Sequence, residues 1–217
     1  MMEDLNIKKD EYYKGGRHEM TKYIPADAKR ILEIGCGEGN FGALLKAEMG
    51  VEVWGIEYQQ SRASEAATKL DNVLCGDVIE LIDQVPDAYF DAIVCNDVLE
   101  HLLDPYKVLD KAKIKLSQGG VVVSSIPNIR YFRTLYKFVF KRAWDYEDQG
   151  IMDFTHFRFF TIDSIRKMYE DLNYHVISHE GIHGTKSLKP WFFILVSFGH
   201  FSDIRYLQFV TVAKVNK

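Results

Sequence analysis

Cysteine is scarce in this chain of 217 residues, and its three copies, Cys36, Cys75 and Cys95, are odd in number and far apart. They fit neither a disulfide framework nor the paired spacing of a zinc site, so no metal is expected and a reducing compartment is. Long apolar runs are missing too. The most apolar stretch, Pro190 to Phe201 (PWFFILVSFGHF), is twelve residues, short of the roughly 20 that a membrane-spanning helix needs. The opening MMEDLNIKKDEYYKGG holds no apolar stretch, so no secretory signal is expected and the cytoplasm is the expected location. Nor is one sign of charge in large excess: 27 basic and 31 acidic residues leave a net charge of −4, with no overall nucleic-acid signal. Apolar residues are abundant at 47%, enough for one domain with a full core and little room for a second.

The most informative stretch is Ile31 to Phe41, ILEIGCGEGNF. Its apolar start reads as a buried strand. Gly35, Gly37 and Gly39 read as a tight turn where the backbone takes angles closed to residues with a Cβ, or lets a ligand come close. Phe41, Leu44, Leu45 and Met49 then recur at helical spacing. Strand, glycine turn and helix form a nucleotide-binding corner. Here the glycines follow G-x-G-x-G, and Glu33 stands two residues before the first of them. A carboxylate there repels a pyrophosphate and suits a ligand with a positive charge.

Further acids stand at the ends of later apolar runs. Val51 to Ile56 ends in Glu57 and Tyr58, at the distance where a carboxylate takes a ribose diol. Ser61 to Leu70 reads as a helix. The short run Val73-Leu74-Cys75 ends in Gly76-Asp77, where Asp77 could accept from an adenine amine with Val78 and Leu81 flanking the ring; the structural alternative is a helix N-cap. Tyr89 to Cys95 runs into Asn96 and Asp97, which should lie at the floor of a cleft, and His101 falls just beyond. Pro105 to Leu116 reads as a helix closed by Gly119-Gly120, and Val121 to Ser125 as a central parallel strand that ends at Asn128.

LEIGCGEG, the strand-end Glu57, Gly76-Asp77, FDAIVCNDVLEHLLDP and SSIPN, in this order, resemble a class I S-adenosylmethionine-dependent methyltransferase over Ile31 to Asn128. VLEHLLDP resembles the small-molecule branch that includes the ubiquinone-type O-methyltransferases. The resemblance implies an α/β, Rossmann-like, seven-stranded and mostly parallel sheet with one antiparallel strand and helices on both faces. It also implies S-adenosyl-L-methionine held by Glu33, Gly35, Cys36, Gly37, Gly39, Glu57, Tyr58, Asp77, Val78 and Asn96. The expected organisation is a single domain: an arm over 1–29, a cofactor core over 30–128, an acceptor-side insertion over 129–160, and the rest of the sheet over 161–217.

The later half should select the acceptor. Asn128 to Trp144 carries five basic residues, six aromatics and no acid, and reads as a helix that either covers the core or meets anionic lipid or a phosphate. Asp153 to Thr161 (DFTHFRFFT) precedes a helix to Leu172 and resembles bacterial methyltransferases of the polysaccharide and natural-product type. If that segment is extended, His156 and Arg158 share a face, one to take a proton and one to hold an anion; the alternative is that they cap the helix and pair with Asp153. Tyr174 to His179 and Leu207 to Val215 should be the last strands. For Pro190 to Phe201 the choices are a core helix, a homodimer contact or a shallow membrane dip.

The expected activity is methylation of a hydroxyl on a saccharide or other small metabolite. His156 is the expected base, with His101 and Asp97 beside it, and Tyr13, Arg17, Asn128, Arg130 and Arg158 are expected near the substrate. Methylation of a quinone, a natural product, or a nitrogen or phosphate acceptor is the enzymatic alternative, and a non-catalytic cofactor-binding subunit the other class. NDVLEH is not the strand-end motif used for base amines, so no nucleic-acid partner is expected.

Overall fold

The computed structural model describes residues 17–216; Tyr12, Tyr13 and Gly15-Gly16, and with them the expected substrate contact of Tyr13, lie outside the described residues. A short 3-10 helix, His18–Tyr23, leads to strand β1 (Arg30–Ile34), helix α1 (Asn40–Met49), β2 (Glu52–Glu57), α2 (Gln60–Ala66), β3 (Asn72–Cys75), α3 (Val78–Leu81) and β4 (Phe90–Asn96). After a 3-10 turn at Leu99–His101 come α4 (Pro105–Lys115), β5 (Leu116–Pro127), α5 (Phe132–Lys141), α6 (Ile162–Asp171), β6 (Tyr174–Gly184), α7 (Lys189–Val196) and β7 (Tyr206–Val215).

The strands form one seven-stranded sheet in the order β3-β2-β1-β4-β5-β7-β6. β1 to β5 pair in parallel, and β7 runs antiparallel to both β5 and β6, so the one antiparallel strand is the last. The period of two along each strand sends alternate residues to opposite faces, and helices bury both. Leu32, Ile34, Ile93 and Val122 pack with Val108 and Leu109 of α4 and Ile165 and Met168 of α6. Ile31, Val53, Val94 and Val123 pack with Phe41 and Leu45 of α1. Chain order reverses between β1 and β4, the switch point at which such sheets open a crevice beyond their carboxyl ends.

Several sequence expectations are corrected. Helix α2 stops at Ala66, and residues 67–70 turn so that Leu70 can bury. Gly119 and Gly120 do not close α4 but lie inside β5, where a Cβ on Gly120 would come 2.8 Å from the Phe90 carbonyl oxygen. The basic helix is shorter than Asn128 to Trp144, and none of its residues is buried, so its aromatics do not fill the core. Pro190 is the one buried residue of α7, and Phe198 just after it is 99% exposed, which removes the core-helix choice for that stretch.

Candidate active site

The glycine turn is built as a left-handed step. Gly35, Gly37 and Gly39 have φ of 70°, 56° and 75°, angles that cost a residue with a Cβ. The Gly35 and Cys36 N–H groups donate to the Ile56 carbonyl at 2.8 and 3.2 Å, which stitches the turn to the end of β2. At the same strand end Glu57 is buried, and its two carboxylate oxygens accept from the Gly37 N–H at 2.8 Å and the Gln59 N–H at 2.9 Å. Each oxygen keeps a second lone pair, the acceptor a ribose hydroxyl needs. Cys36 contributes only backbone here, because its Sγ fills the space over Gly55, where a Cβ would lie 2.5 Å from it. Burial pushes that thiol's pKa up.

Glu33 lies on the α1 face of β1, buried, with Oε2 beneath the first turn of α1, 3.2 Å from where a Gly42 Cβ would be. Desolvation raises its pKa to about 8, against the pull of the Gly42 N–H and with a further rise from the Glu57 charge. Among the described residues Glu33 Oε2 has no hydrogen-bond partner, and neither has the side-chain amide of Asn96, on Nδ2 or Oδ1. β1 and β4 are neighbours in the sheet, so these buried polar atoms stand at adjacent strand ends. Uncompensated burial of such groups is costly, and a ligand with an ammonium and a carboxylate satisfies both kinds. The donor set therefore fits S-adenosylmethionine. Asp77 takes the N-cap position of α3, where it accepts from the Ile79 N–H at 2.9 Å while its side chain stays exposed; Val78 is buried and Tyr58 half-exposed.

Beyond β4, Asp97 adopts φ 52° and ties three strands together. It accepts from Gln208 Nε2 of β7 at 2.7 Å and from Ser125 Oγ of β5 at 3.2 Å, and it pairs with the Arg17 guanidinium. Arg17 also donates to Ser125 Oγ at 2.9 Å. Nothing in the spacing of the sequence announced Ser125 or Gln208, because β7 reaches this place only by inserting between β5 and β6.

A second cluster joins the 3-10 turn after β4 to the segment before α6. That segment is not extended: Asp153 Oδ1 accepts from the Thr155 N–H at 2.8 Å and from its hydroxyl at 2.6 Å, an Asx turn that buries His156 and leaves Arg158 exposed. His156 and Arg158 thus do not share a face, and α6 is capped instead by Thr161 and Ser164. The Phe157 and Arg158 N–H groups donate to the Glu100 carbonyl, and the Arg158 guanidinium donates to the Leu103 carbonyl at 2.7 Å. His101 Nδ1 lies 3.1 Å from the Thr155 carbonyl and 3.0 Å from its Oγ1, and His156 Nδ1 lies 2.9 Å from the Ile151 carbonyl. A carbonyl only accepts, so both Nδ1 atoms donate, and the neutral form of each ring carries its lone pair on Nε2. The rings meet edge to face with centroids 4.5 Å apart, and His156 Nε2 is 4.0 Å from Glu100 Oε1.

Two residues expected near the substrate serve the fold. Asn128 is fully buried; its amide donates to the Asp203 and Tyr206 carbonyls at 3.0 and 3.1 Å and accepts from the Arg130 N–H. Arg130 forms a forked pair with Asp203 at 2.6 and 3.2 Å.

Residues 6–179 match the model of a methyltransferase domain family. A probable S-adenosylmethionine-dependent methyltransferase of Mycolicibacterium smegmatis is 33% identical over 55% of this chain and 47% of its own length. A ubiquinone biosynthesis O-methyltransferase of Psychrobacter arcticus is 27% identical over 54% of this chain and 48% of its own. The chain spans about half the length of these curated relatives. Among solved structures, an S-adenosylmethionine-dependent methyltransferase from Archaeoglobus fulgidus superposes with a TM-score of 0.71 over 94% of this chain and 97% of that one, at 22% identity, a likeness of fold. With more than half its residues matched to that family and its glycine turn, strand-end acids and sheet order in place, the chain belongs to the methyltransferase domain family and has the class I S-adenosylmethionine-dependent methyltransferase fold.

Proposed function

We propose that this protein transfers the methyl group of S-adenosylmethionine to a hydroxyl oxygen of a small acceptor, a saccharide or another small metabolite, in the cytoplasm. The observation that carries this reading is the juxtaposition at adjacent strand ends of two different chemistries. Glu33, the glycine turn, Glu57 and Asn96 offer polar groups to the cofactor, Asp97 follows at the end of β4, and His101, in the 3-10 turn after it, meets His156. Methyl transfer is an in-line displacement, so the protein acts chiefly by holding the nucleophile within about 3 to 3.5 Å of the methyl carbon. The oxygen must also lose its proton, and the His101 and His156 pair is where we place that loss. Calorimetry with S-adenosylmethionine, followed by a transfer assay on a panel of hydroxylated acceptors, tests the reading. Cofactor binding with no transfer to any hydroxyl would leave a cofactor-binding subunit in its place.

A specific observation favours a lipid-soluble phenol or quinol as second acceptor class. α5 and α7, far apart in sequence, meet through Phe132, Phe140 and Phe193, with ring centroids 5.7 Å apart for Phe132 and Phe193 and 6.4 Å for Phe140 and Phe193. Around this contact Phe138, Val139, Trp191, Phe192 and Leu195 are exposed. Residues 129–144 and 185–201 hold seven Lys and Arg residues and no acid, in a chain of net charge −4. An apolar surface rimmed by cations complements an anionic bilayer. No helix among the described residues is long and apolar enough to cross a membrane, so the contact would be peripheral. Cosedimentation with anionic but not zwitterionic vesicles is expected. A stable homodimer that buries the patch and ignores vesicles would instead make it a subunit interface.

A further inference from the structure

We infer that Glu100, His101 and His156 form a divalent metal site at the acceptor end of the cleft. One candidate ligand atom from each of the three lies within 4.8 Å of the others, with Glu100 and His156 buried and His101 half-buried. Their chemistry is convergent. The Ile151 carbonyl holds the Nδ1 proton of His156, so the nitrogen left to bind a cation is the Nε2 that lies 4.0 Å from Glu100 Oε1. His101 is fixed in the same sense by two contacts, because the Thr155 hydroxyl gives its own proton to Asp153 and can then only accept from Nδ1. A carboxylate and two imidazoles with their Nδ1 atoms held by carbonyls present the ligand types that a divalent cation takes, within reach of one another. Hydrogen bonding of the distal imidazole nitrogen to a carbonyl, or through a hydroxyl to a carboxylate, is the outer-shell pattern that orients metal-bound histidines.

Two imidazoles and a carboxylate suit a borderline transition cation such as Zn²⁺, Mn²⁺ or Fe²⁺. Three protein ligands leave coordination positions open, as in sites where the metal does chemistry. The site follows directly on Asn96 and Asp97, at the end of β4. A hydroxyl bound there loses its proton to solvent more readily because the cation stabilises the oxyanion. The oxygen lone pair then forms the new O–C bond to the methyl carbon, the C–S bond breaks, and its electron pair returns to sulfur as the sulfonium becomes a neutral thioether. The inference rests on the hydroxyl-methyltransferase reading for this last role, and the cation replaces a free imidazole as the means of removing the proton. Metal binding itself does not depend on that reading.

The test separates the two. Full-length protein stripped with a chelator and loaded with Co²⁺ is desalted, and its metal content and visible ligand-field spectrum are measured. One retained ion per chain is expected, lost in Glu100→Gln and His156→Ala variants that still bind S-adenosylmethionine by calorimetry. Thr155→Val, which removes the hydroxyl that orients His101 but no ligand, should weaken the ion by about 10- to 100-fold. Wild-type protein that binds S-adenosylmethionine yet retains no ion would overturn the site, as would variants that retain it. Equal transfer rates for stripped and Zn²⁺- or Mn²⁺-loaded enzyme would overturn the activating role.

Discussion

Glu33 and Glu57 show how the same side chain is put to opposite uses by its surroundings. Glu57 is held as an acceptor by two backbone N–H groups, whereas Glu33 is buried beneath α1 and keeps its proton up to a pH of about 8. For Glu33 the sign follows from linkage. The unfolded chain releases this proton in the ordinary carboxylate range and the fold holds it, so the contribution to stability is full below pH 4.5 and is lost as pH rises to about 8. Glu33→Gln removes that loss. The cofactor-free variant should gain on wild type by roughly 1.4 kcal/mol per pH unit at most across the window, read by denaturant titration at several pH values. If the cofactor's ammonium faces this carboxyl, binding at pH 7 expels its proton, and the calorimetric enthalpy will depend on the ionisation heat of the buffer. An enthalpy independent of buffer would make Glu33 purely structural. Glu57→Ala should weaken S-adenosylmethionine by about 1.5 to 3 kcal/mol through loss of charge-assisted hydrogen bonds, and unchanged affinity by calorimetry would remove it from the cofactor site.

Among the elements, α1 is the one whose position the cofactor corner depends on, and a glycine inside it sets that position. A Cβ on Gly42 would lie 2.6 Å from Leu70 Cδ2 and 2.9 Å from Val53 Cγ1. Alanine improves helix propensity by about 1 kcal/mol, but overpacking costs about 1 to 3. Leu70 can give at its tip, while Val53, branched at Cβ and within β2, cannot. Gly42→Ala should therefore lower stability by about 1 kcal/mol despite its helical position, and a gain in denaturation midpoint would show that α1 lifts freely. At this scale the sequence was highly legible up to β4, because strand, turn and helix there are set by local spacing. It was less so beyond. The Asp153 to Phe160 segment turns, since Asp153 captures Thr155 locally before an extended chain can form.

Across the whole molecule, the late part of the chain is fastened to the early part by the β5–β7 ladder and by buried polar groups. Asn128, at the end of central β5, holds the Asp203 and Tyr206 carbonyls that lead into β7. Asn128→Ala removes three hydrogen bonds, to the Asp203 and Tyr206 carbonyls and from the Arg130 N–H, while the Asp203 carbonyl keeps the Tyr206 N–H; the loss is about 2 to 4 kcal/mol. For a chain of this size each kcal/mol corresponds to about 2 to 4 °C, so the melting temperature should fall by roughly 4 to 16 °C. A melting temperature within a degree of wild type would mean that other contacts hold β7 in place.

The sequence by itself determined the parallel half of the sheet, the glycine turn and the strand-end acids. Each depends on residues close together in the chain, and their periodicity and backbone limits can be read without a partner. Only the tertiary structure decided that Asp97 is tied to Ser125 and Gln208, that Asn128 is a buried joint, and that α5 and α7 share one exposed face. It also brought Glu100 and His101 against His156, a residue from a different segment. These are contacts between segments remote in sequence, set by the insertion of β7 between β5 and β6 and by an Asx turn at Asp153. Pairing of this kind is a property of the folded sheet, and no local spacing encodes it.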